Sequence, residues 1–282
     1  MRHVTLSLPL RFLMVGASVL FANACGGDFE GAEQEAPADV TVNSQAATTT
    51  YPQIDFSKKP SYVSNKTIAL SFDDGPDDTN TAKVLDTLKK NGIKATFFIN
   101  SNNYTNLSTD TKAQGLVKRM VNEGHNLGNH TVDHENLALL SSSAIEKEIA
   151  GVETVVKKIL GSSRRLTLFR APFGEPYDPE GDHQSALSKV APIVAKHAVH
   201  IGWAITPQDA DGCSTQSCVL NAVKSAVNAG SYGIILMHCT QPQTAAALQS
   251  IIDFLKSKGF AFKTAEDFVK ARYGKTSDLL IP

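Results

Sequence analysis

Short apolar runs alternate with longer segments of helical periodicity along most of this chain, and no other feature restricts its possible folds as strongly. Strands are predicted for seven of these runs, at 67–72, 95–100, 125–131, 166–171, 197–206, 233–238 and 260–264. The clearest helix is predicted over 141–160, where apolar residues recur every three or four positions and Ser141 can cap the first turn. Seven strand–helix units predict a parallel sheet covered by helices, either an open doubly wound sheet or a closed barrel.

Size and charge narrow the class of protein further. The chain has 282 residues, of which 42% are hydrophobic and 20% are charged, and this composition excludes a wholly disordered chain. The formal net charge of -1 gives no electrostatic footprint for a nucleic acid partner. We expect one folded domain over 61–275 and a monomeric protein.

The N-terminal region has the pattern of an export signal. A start without acidic residues precedes an apolar stretch over 12–22, which is too short to span a bilayer. The basic residues of this start are Arg2, His3 and Arg11. The small residues Ala22 and Ala24 fit the rule for signal-peptide cleavage. We therefore expect a signal peptide over 1–24 and a protein that leaves the cytoplasm.

The next residues leave two forms of the exported protein open. Cys25, after small residues and before two glycines, resembles the box of a bacterial lipoprotein, in which the cysteine is lipidated and anchors the protein to a membrane. Cleavage after Ala24 instead gives a free secreted protein. Residues 26–50 contain five acidic residues, no basic residue and no periodicity. This composition predicts a disordered linker, which we extend over 25–60.

Ionisable side chains follow five of the predicted strands, at the edge where parallel sheets carry their active sites. They are Asp73 and Asp74, His130 and His134, Arg170, Asp209 and Asp211, and His238. Each has an ordinary structural explanation when taken alone, such as a turn, a helix cap or a surface ion pair. Their joint occurrence at one rim favours an active site.

Three of these residues can form a metal site. His130 and His134 are four positions apart, so one helical turn would place both imidazoles on one face, and Asp74 adds a carboxylate. Two histidines and one aspartate are sufficient ligands for a catalytic zinc that keeps positions for water and substrate. Zinc brings the pKa of its bound water to about 7, from about 15.7 in bulk.

The remaining groups suit acid–base catalysis. Asp73 is free to act as the base on this metal-activated water, and Arg170 can hold its carboxylate ionised. His238 can protonate a leaving group, because an unperturbed imidazole has a pKa of about 6.5. Asp209 can orient His238 and raise its pKa. Together these groups predict metal-assisted hydrolysis of an amide or an ester.

Five short motifs carry a resemblance to a known family. In order they are SFDDGP, HTVDH, FRAPFG, WAITPQDA and ILMH. They resemble the motifs of the polysaccharide deacetylase family (the NodB homology domain, carbohydrate esterase family four), over about 65–272. The resemblance implies a distorted (β/α)7 barrel that removes acetyl groups from N-acetylglucosamine polymers such as chitin or peptidoglycan, or from xylan. It implies these roles: base Asp73, acid His238, and ligands Asp74, His130 and His134 for zinc, cobalt, nickel or manganese.

The resemblance also assigns residues to the substrate. The backbone N–H of Phe173 would help to stabilise the oxyanion, and Leu236 would line the pocket for the acetyl methyl group. The third motif has Phe173 where the family usually has tyrosine, and the fourth ends in Asp209-Ala210 where the family usually has Asp-Trp. The only tryptophan, Trp203, lies at the start of the fourth motif and is either a sugar contact or part of the barrel core.

The cysteines fit an exported protein. Cys213 and Cys218 are close enough in sequence to form a small disulfide loop beside the rim. Cys239 is expected to be a buried thiol, with metal ligation or pairing to Cys213 as alternatives.

Three functions compete. The first is metal-dependent deacetylation of an acetylated polysaccharide, with acetylxylan esterase activity as its nearest alternative. The second is a wall-associated lipoprotein that has kept the barrel and lost turnover, against which the complete set of acids and bases argues. The third is hydrolysis of cyclic amides, which the export signal disfavours.

Overall fold

The computed structural model of the protein describes residues 50–282, in which eight short strands and seven α-helices form. The strands are β1 (Gln53–Ile54), β2 (Thr67–Gly75), β3 (Thr96–Ile99), β4 (Asn126–Asn129), β5 (Leu168–Phe169), β6 (Val199–Ile201), β7 (Gly233–His238) and β8 (Ala261–Lys263). The helices are α1 (Asn80–Asn91), α2 (Thr111–Asn122), α3 (Ser142–Leu160), α4 (Leu187–Val194), α5 (Gln216–Asn228), α6 (Pro242–Ser257) and α7 (Ala265–Tyr273). Strand and helix alternate from β2 onwards, as the sequence predicts.

The strands pair in parallel, and the sheet curls into a barrel. Its order is β1-β6-β5-β4-β3-β2-β7, and β8 pairs with the first residues of β2. The chain after β6 reaches β7 through a parallel bridge between Ile205 and Ile235, where the Leu236 N–H donates to the Ile205 carbonyl at 2.9 Å. The predicted distorted (β/α)7 barrel is therefore confirmed, and each of the seven predicted strands overlaps an observed one.

Local sequence explains where the helices begin and what they cover. The Asp110 carboxylate accepts hydrogen bonds from two backbone N–H groups at the start of α2. Ser141 caps α3 as predicted, accepting from the Ala144 N–H at 3.3 Å. The apolar residues Ile145, Ile149, Val152 and Val156 of α3 are buried against the barrel. Burial of apolar surface, which contributes about 25 cal/mol per Å², holds the helices on the barrel.

The folded region begins before its predicted boundary. The linker predicted over 25–60 is wrong for residues 50–60, because β1 lies there and pairs with β6. Ile54 is 2% exposed, and Arg272 Nη1 of α7 lies 2.6 Å from the Asp55 carboxylate. β1 has two residues and, unlike the equally short β5, has no apolar run around it, so the sequence pattern does not reveal it.

The folded region also continues past the predicted end at residue 275. Ser277 is buried and its hydroxyl donates to Glu266 of α7 at 2.6 Å. Arg165 Nη1 donates to the carbonyl of Pro282 at 3.0 Å. Polar contacts of this kind leave no hydrophobic pattern in the sequence.

Other predictions fall on residues that the structure does not describe. The signal peptide over 1–24, the lipidation site Cys25 and the rest of the linker up to residue 49 lie outside the described residues. Between residues 50 and 282, no helix combines the length and the apolar character needed to cross a membrane.

Candidate metal centre and active site

The end of β2 brings two adjacent carboxylates towards the same point. In a regular strand Asp73 and Asp74 would point to opposite faces of the sheet. Asp74 instead has a left-handed backbone, with φ of 69°, and this breaks the alternation. His130 Nε2 consequently lies 3.8 Å from Asp73 Oδ2 and 3.5 Å from Asp74 Oδ1. Both carboxylates are buried.

The two histidines reach this point from a loop, so the predicted helical turn between them is wrong. β4 ends at Asn129, and both Thr131 and His134 have positive φ, at 72° and 59°. A left-handed backbone at these positions is incompatible with a right-handed helical turn. The ring centroids of His130 and His134 nevertheless lie 4.9 Å apart.

Buried polar groups fix the conformation of this loop. The Asn100 side chain donates to the carbonyl of His130 and, at 3.0 Å, to that of Thr131. Glu148 Oε2, from α3, accepts two backbone N–H groups of the loop, each at 3.0 Å. No sequence pattern indicates the roles of Asn100 and Glu148, because their contacts join distant parts of the chain.

Asp74, His130 and His134 have a geometry that fits a divalent cation. One ligand atom from each lies within 4.8 Å of the other two. Asp74 Oδ1 is buried without a hydrogen-bond partner, 3.3 Å from His134 Nε2. A buried carboxylate oxygen of this kind is costly unless a cation or a donor satisfies it. Two imidazoles and a carboxylate form a ligand set that zinc accepts.

The protonation of these ligands also fits a cation. His130 Nδ1 lies 2.8 Å from the Arg170 carbonyl, which can only accept, so this nitrogen carries the proton and Nε2 presents its lone pair. Burial lowers the pKa of His130 to about 3 and that of His134 to about 4. Burial raises the pKa of Asp74 to about 6, an effect that a bound cation would oppose. Both imidazoles are therefore neutral at pH 7.

Asp73 forms a buried ion pair with Arg170, which is fully buried. Arg170 Nη1 donates to Asp73 Oδ1 at 2.8 Å and to Ser71 Oγ at 2.9 Å, and Nε donates to the Ile201 carbonyl at 2.9 Å. Burial raises the pKa of the Asp73 carboxyl, and the charge of Arg170 opposes this rise. A buried guanidinium requires a counter-ion, so the pair keeps Asp73 as a carboxylate.

His238, at the end of β7, is held by Asp209. Its Nδ1 lies 2.9 Å from Asp209 Oδ1, and its backbone N–H donates to Asp209 Oδ2 at 2.7 Å. The hydroxyl of Thr244, from α6, donates to the same Oδ2. Burial lowers the pKa of His238, but the hydrogen bond to Asp209 and its charge outweigh burial and raise the pKa to about 9. His238 is therefore protonated at neutral pH.

One cavity of about 450 Å³ at the mouth of the barrel joins these groups. The residues predicted to contact substrate, Phe173, Trp203 and Leu236, also line it. The Phe173 side chain is 63% exposed, and its ring centroid lies 4.7 Å from that of His134. Ala210 lines the cavity at the position where the sequence motif lacks an aromatic residue.

Tyr104 and Gln241 are among the residues at the cavity that were not predicted. Tyr104 is 53% exposed, and its hydroxyl lies 3.5 Å from Gln241 Nε2. Tyr104 follows β3, at the same rim as the predicted residues. Its position after a strand is the only sequence signal for it, because an uncharged side chain in a polar loop does not indicate catalysis.

The cysteines lie close to this rim. Cys213 and Cys218 form a disulfide with an S–S distance of 2.01 Å, and Cys218 belongs to α5. Cys239 is a buried free thiol, and its Sγ lies 3.6 Å from the Asp73 carbonyl oxygen.

Fold and site together define a parallel α/β barrel with a candidate metal centre at the carboxyl ends of its strands. A model of the family described as polysaccharide deacetylase matches residues 61–189. A peptidoglycan-N-acetylglucosamine deacetylase of Bacillus cereus is 32% identical over 216 residues, which cover 74% of this chain and 90% of that protein.

Two solved structures are similar over most of their length. The chitin deacetylase of Colletotrichum lindemuthianum has a TM-score of 0.61 and 28% identity, covering 76% of this chain and 90% of that one. A family 4 acetyl xylan esterase of Clostridium thermocellum, in complex with a cobalt ion, has a TM-score of 0.60 and 32% identity, covering 76% and 96%.

The chain therefore belongs to the polysaccharide deacetylase family, carbohydrate esterase family four. Some relatives are longer. The chain spans 66% of another Bacillus cereus peptidoglycan-N-acetylglucosamine deacetylase, at 31% identity, and 42% of one from Listeria monocytogenes, at 32% identity.

Proposed function

We propose that this protein is a metal-dependent hydrolase that removes acetyl groups from N-acetylglucosamine-containing polysaccharide, of the chitin or peptidoglycan type. The observation that carries this proposal is the convergence of three kinds of group on one cavity. They are a three-residue metal cluster, an arginine-bound carboxylate and an aspartate-bound histidine. A Lewis acid, a base and an acid together accelerate the hydrolysis of an amide at neutral pH, and these groups can supply all three.

The ion would be held by Asp74, His130 and His134. Zinc is our first choice, and cobalt, nickel and manganese are alternatives, since imidazole and carboxylate ligands accept all of them. A bound ion supplies Lewis acidity towards the acetyl carbonyl and makes water a better nucleophile at neutral pH.

Asp73 acts as the base in this proposal. Its Oδ1 is occupied by Arg170, so Oδ2, on the side of His130 Nε2, accepts the proton from the water that attacks the acetyl carbon. Arg170 has no other acidic partner within 4.0 Å among the described residues, so its charge is available to keep Asp73 ionised before this step.

His238 acts as the acid. The amine is a poor leaving group until its nitrogen is protonated, and His238 holds a proton at neutral pH because Asp209 raises its pKa. The backbone N–H of Phe173 donates to the oxyanion, and Leu236 packs against the acetyl methyl group.

Acetylxylan esterase activity is a second candidate. It is favoured by the 32% identity to the Clostridium thermocellum acetyl xylan esterase, over 96% of that chain. The same base and metal cluster would serve an ester, but an alkoxide leaves more readily than an amine. The acid His238 is therefore more important for an amide substrate than for an ester.

We further propose that the protein is exported and acts outside the cytoplasm as a monomer, either free or tethered through lipid on Cys25. The basic and apolar pattern of residues 1–24 supports export. An extracytoplasmic position would give the enzyme direct access to wall polymers.

Acetate release from chitin oligomers, peptidoglycan and acetylxylan, with and without chelator, tests the proposed function. We expect release from an N-acetylglucosamine polymer, loss of activity with chelator and recovery when zinc is added back. His130→Ala should lose both activity and bound metal in elemental analysis, whereas His197→Ala, at the edge of α4 and away from the cavity, should keep both. Release from acetylxylan alone would identify the esterase. No acetate from any polymer with the zinc-loaded protein would contradict the proposal.

A further inference from the structure

Charged residues are divided between the two ends of the barrel. The loops that follow strands β2–β8, at the catalytic mouth, contain eleven acidic residues and one basic residue, the buried Arg170. The loops that precede strands β3–β8, at the opposite end, contain five basic residues and one acidic residue, Glu123. These basic residues are Lys94, Arg164, Arg165, Lys196 and Lys258. The barrel therefore has an acidic mouth and a basic opposite end.

Helix ends add to the positive charge opposite the mouth. Helices run back along the strands in such a barrel, so their last turns lie beside the loops that precede the strands. The last turns of α1, α2, α3 and α6 contain no acidic residue and six basic ones, Lys89, Lys90, Arg119, Lys157, Lys158 and Lys256. α7 packs across the same end, because the Ala265 N–H donates to Oγ1 of Thr96, the first residue of β3, at 3.0 Å. We call this end the closed end.

Four basic residues of the closed end form one patch. Arg164 lines two hollows, one of about 400 Å³ that Lys118 also lines and one of about 430 Å³ that Arg165 and Lys270 also line. We call Lys118, Arg164, Arg165 and Lys270 the basic patch. All four are exposed, and Lys118, Arg164 and Lys270 form no ion pair within 4.0 Å among residues 50–282. Their charges are available to an external partner.

The acidic residues near the basic patch do not cancel its charge. Glu266 and Asp278 line the larger hollow. The two oxygens of Glu266 accept the backbone N–H and the hydroxyl of Ser277, at 2.9 and 2.6 Å. The whole segment 265–282 contains three acidic and three basic residues, so it leaves the positive charge of the loops in place. The partner that this patch fits is therefore anionic.

Apolar side chains lie beside these charges. Val121, Ile159 and Leu160 are half-buried and line the smaller hollow together with Lys118 and Arg164. Basic groups next to apolar surface are complementary to a phospholipid bilayer, which presents phosphate groups above acyl chains. An acidic peptide or a sugar polyanion would match the charges alone. The composition of the patch therefore favours a lipid surface.

The chain enters the folded domain at the closed end. β1 is parallel to β6, with Gln53 paired to His200, so residue 50 precedes the sheet on the side where its strands begin. A lipid on Cys25 would be joined to this end through residues 26–49. A chain of this length spans at most about 80 Å. Such a tether permits contact with the membrane without enforcing it, so the surface charges decide the orientation.

We propose that the basic patch binds the anionic phospholipid surface of the membrane outside the cytoplasm, so that the catalytic mouth points away from the bilayer. This inference rests on the proposed export and is independent of the proposed deacetylation. The same anionic surface repels the acidic loops of the mouth, which reinforces the orientation. Wall polymer reaches the mouth while the closed end stays on the membrane.

Sedimentation with vesicles tests the proposal. The mature chain, residues 25–282, carries Cys25→Ser, so no lipid can anchor it. It is mixed with vesicles of phosphatidylcholine alone or of phosphatidylcholine with phosphatidylglycerol. We expect binding only to the vesicles that contain phosphatidylglycerol. Added salt should weaken this binding, because it screens charges at a surface.

A triple variant locates the contact. Lys118→Gln, Arg164→Gln and Lys270→Gln together remove three exposed charges of the basic patch. A basic residue near an anionic membrane contributes about fivefold to binding, so the variant should lose at least about tenfold in affinity for the vesicles.

The matched control removes the same charge from the same side of the barrel wall but nearer the mouth. It combines Lys83→Gln, Lys112→Gln and Lys147→Gln, which are exposed within the first two turns of α1, α2 and α3. The control should retain the binding. Equal losses in the two triple variants would overturn the basic patch as the contact, and so would equal binding to both kinds of vesicle.

The acidic segment of this chain is the competing occupant. Residues 26–49 contain five acidic residues and no basic residue. Binding that appears only when Asp28, Glu30, Glu33, Glu35 and Asp39 are changed to their amides would assign the patch to this segment and overturn the membrane contact. Acetate release from soluble chitin oligomers without vesicles should be the same in the patch variant and the unaltered protein. Failure of the vesicle experiment would thus leave the proposed function intact.

Discussion

The cavity at the mouth of the barrel is lined by several residues whose backbone conformation is rare outside glycine. Within residues 50–282 the non-glycine residues with positive φ are Asp74, Thr131, His134, Phe173 and Gln208. Four of them line the cavity, and Thr131 lies in the loop between His130 and His134. Each such conformation costs about 1–3 kcal/mol and persists only where surrounding contacts enforce it. The geometry of the site is therefore stabilised by the fold around it and not by local propensity.

The proposed base, Asp73, can be separated from the proposed metal ligands by one substitution. Asp73→Asn removes the proton acceptor but keeps a carbonyl oxygen for Arg170 and leaves the three ligands in place. We expect kcat to fall by about 10²–10⁴, the usual scale for the loss of a general base, with unchanged metal content. Activity and elemental analysis on the same preparation measure both. Loss of the metal together with activity would show that Asp73 is a ligand.

The pH dependence of the rate tests the proposal that His238 is the acid. Asp209 favours the protonated form of His238, so Asp209→Asn lowers the pKa of His238 below its present value of about 9. His238 then loses its proton at lower pH, and the alkaline limb of kcat/KM should move to lower pH by about 1–3 units. Asp211→Asn is the control. Asp211 is exposed and lines the same cavity, whereas the carboxylate that bonds His238 belongs to Asp209. An unmoved alkaline limb in Asp209→Asn would contradict the assignment of His238 as the acid.

At the scale of secondary-structure elements, the length of an element and the apolar residues around it decided whether the sequence could predict that element. The nineteen residues of α3 repeat their apolar positions over several turns, and its observed start and end match the prediction. β1 and β5 have two residues each, but only β5 lies within an apolar run, so the residues of β1 have the pattern of a linker. The spacing of His130 and His134 fits a helical turn as well as it fits the observed loop. Asn100 and Glu148 decide between them, through hydrogen bonds that no local pattern reveals.

Glu148 of α3 holds the loop between His130 and His134, and this contact predicts an effect on the affinity for zinc. Glu148→Ala removes the acceptor of two loop N–H groups without touching a ligand. Because such supporting contacts orient the ligands, we expect zinc affinity to fall by about 10–100-fold. Glu146→Ala is the matched control on α3, since Glu146 bonds His197 on the outside of the barrel. Calorimetric titration of zinc into the metal-free variants measures the change, and equal affinities in both would exclude a supporting role for Glu148.

At the scale of the whole molecule, parallel topology explains why a site spread along the chain could be predicted. Every parallel strand presents its carboxyl end at the same edge, so polar residues after successive strands converge whatever the exact strand neighbours are. The closure of the sheet followed from the family resemblance and not from periodicity, because Ile205, which forms the bridge to Ile235 of β7, lies outside any regular strand.

The last prediction concerns the attachment of the whole protein. If Cys25 is lipidated, the lipid is the anchor, and a linker through residue 49 would separate it from the folded domain. Cys25→Ser should then move the protein from the membrane fraction to the soluble extracytoplasmic fraction, while acetate release per molecule stays constant. The reason is that the substitution lies far in sequence from every residue of the site. Fractionation of cells that express each form, followed by immunoblotting, measures the distribution. If the unaltered protein is already soluble outside the cytoplasm, cleavage after Ala24 and free secretion replace the lipoprotein interpretation.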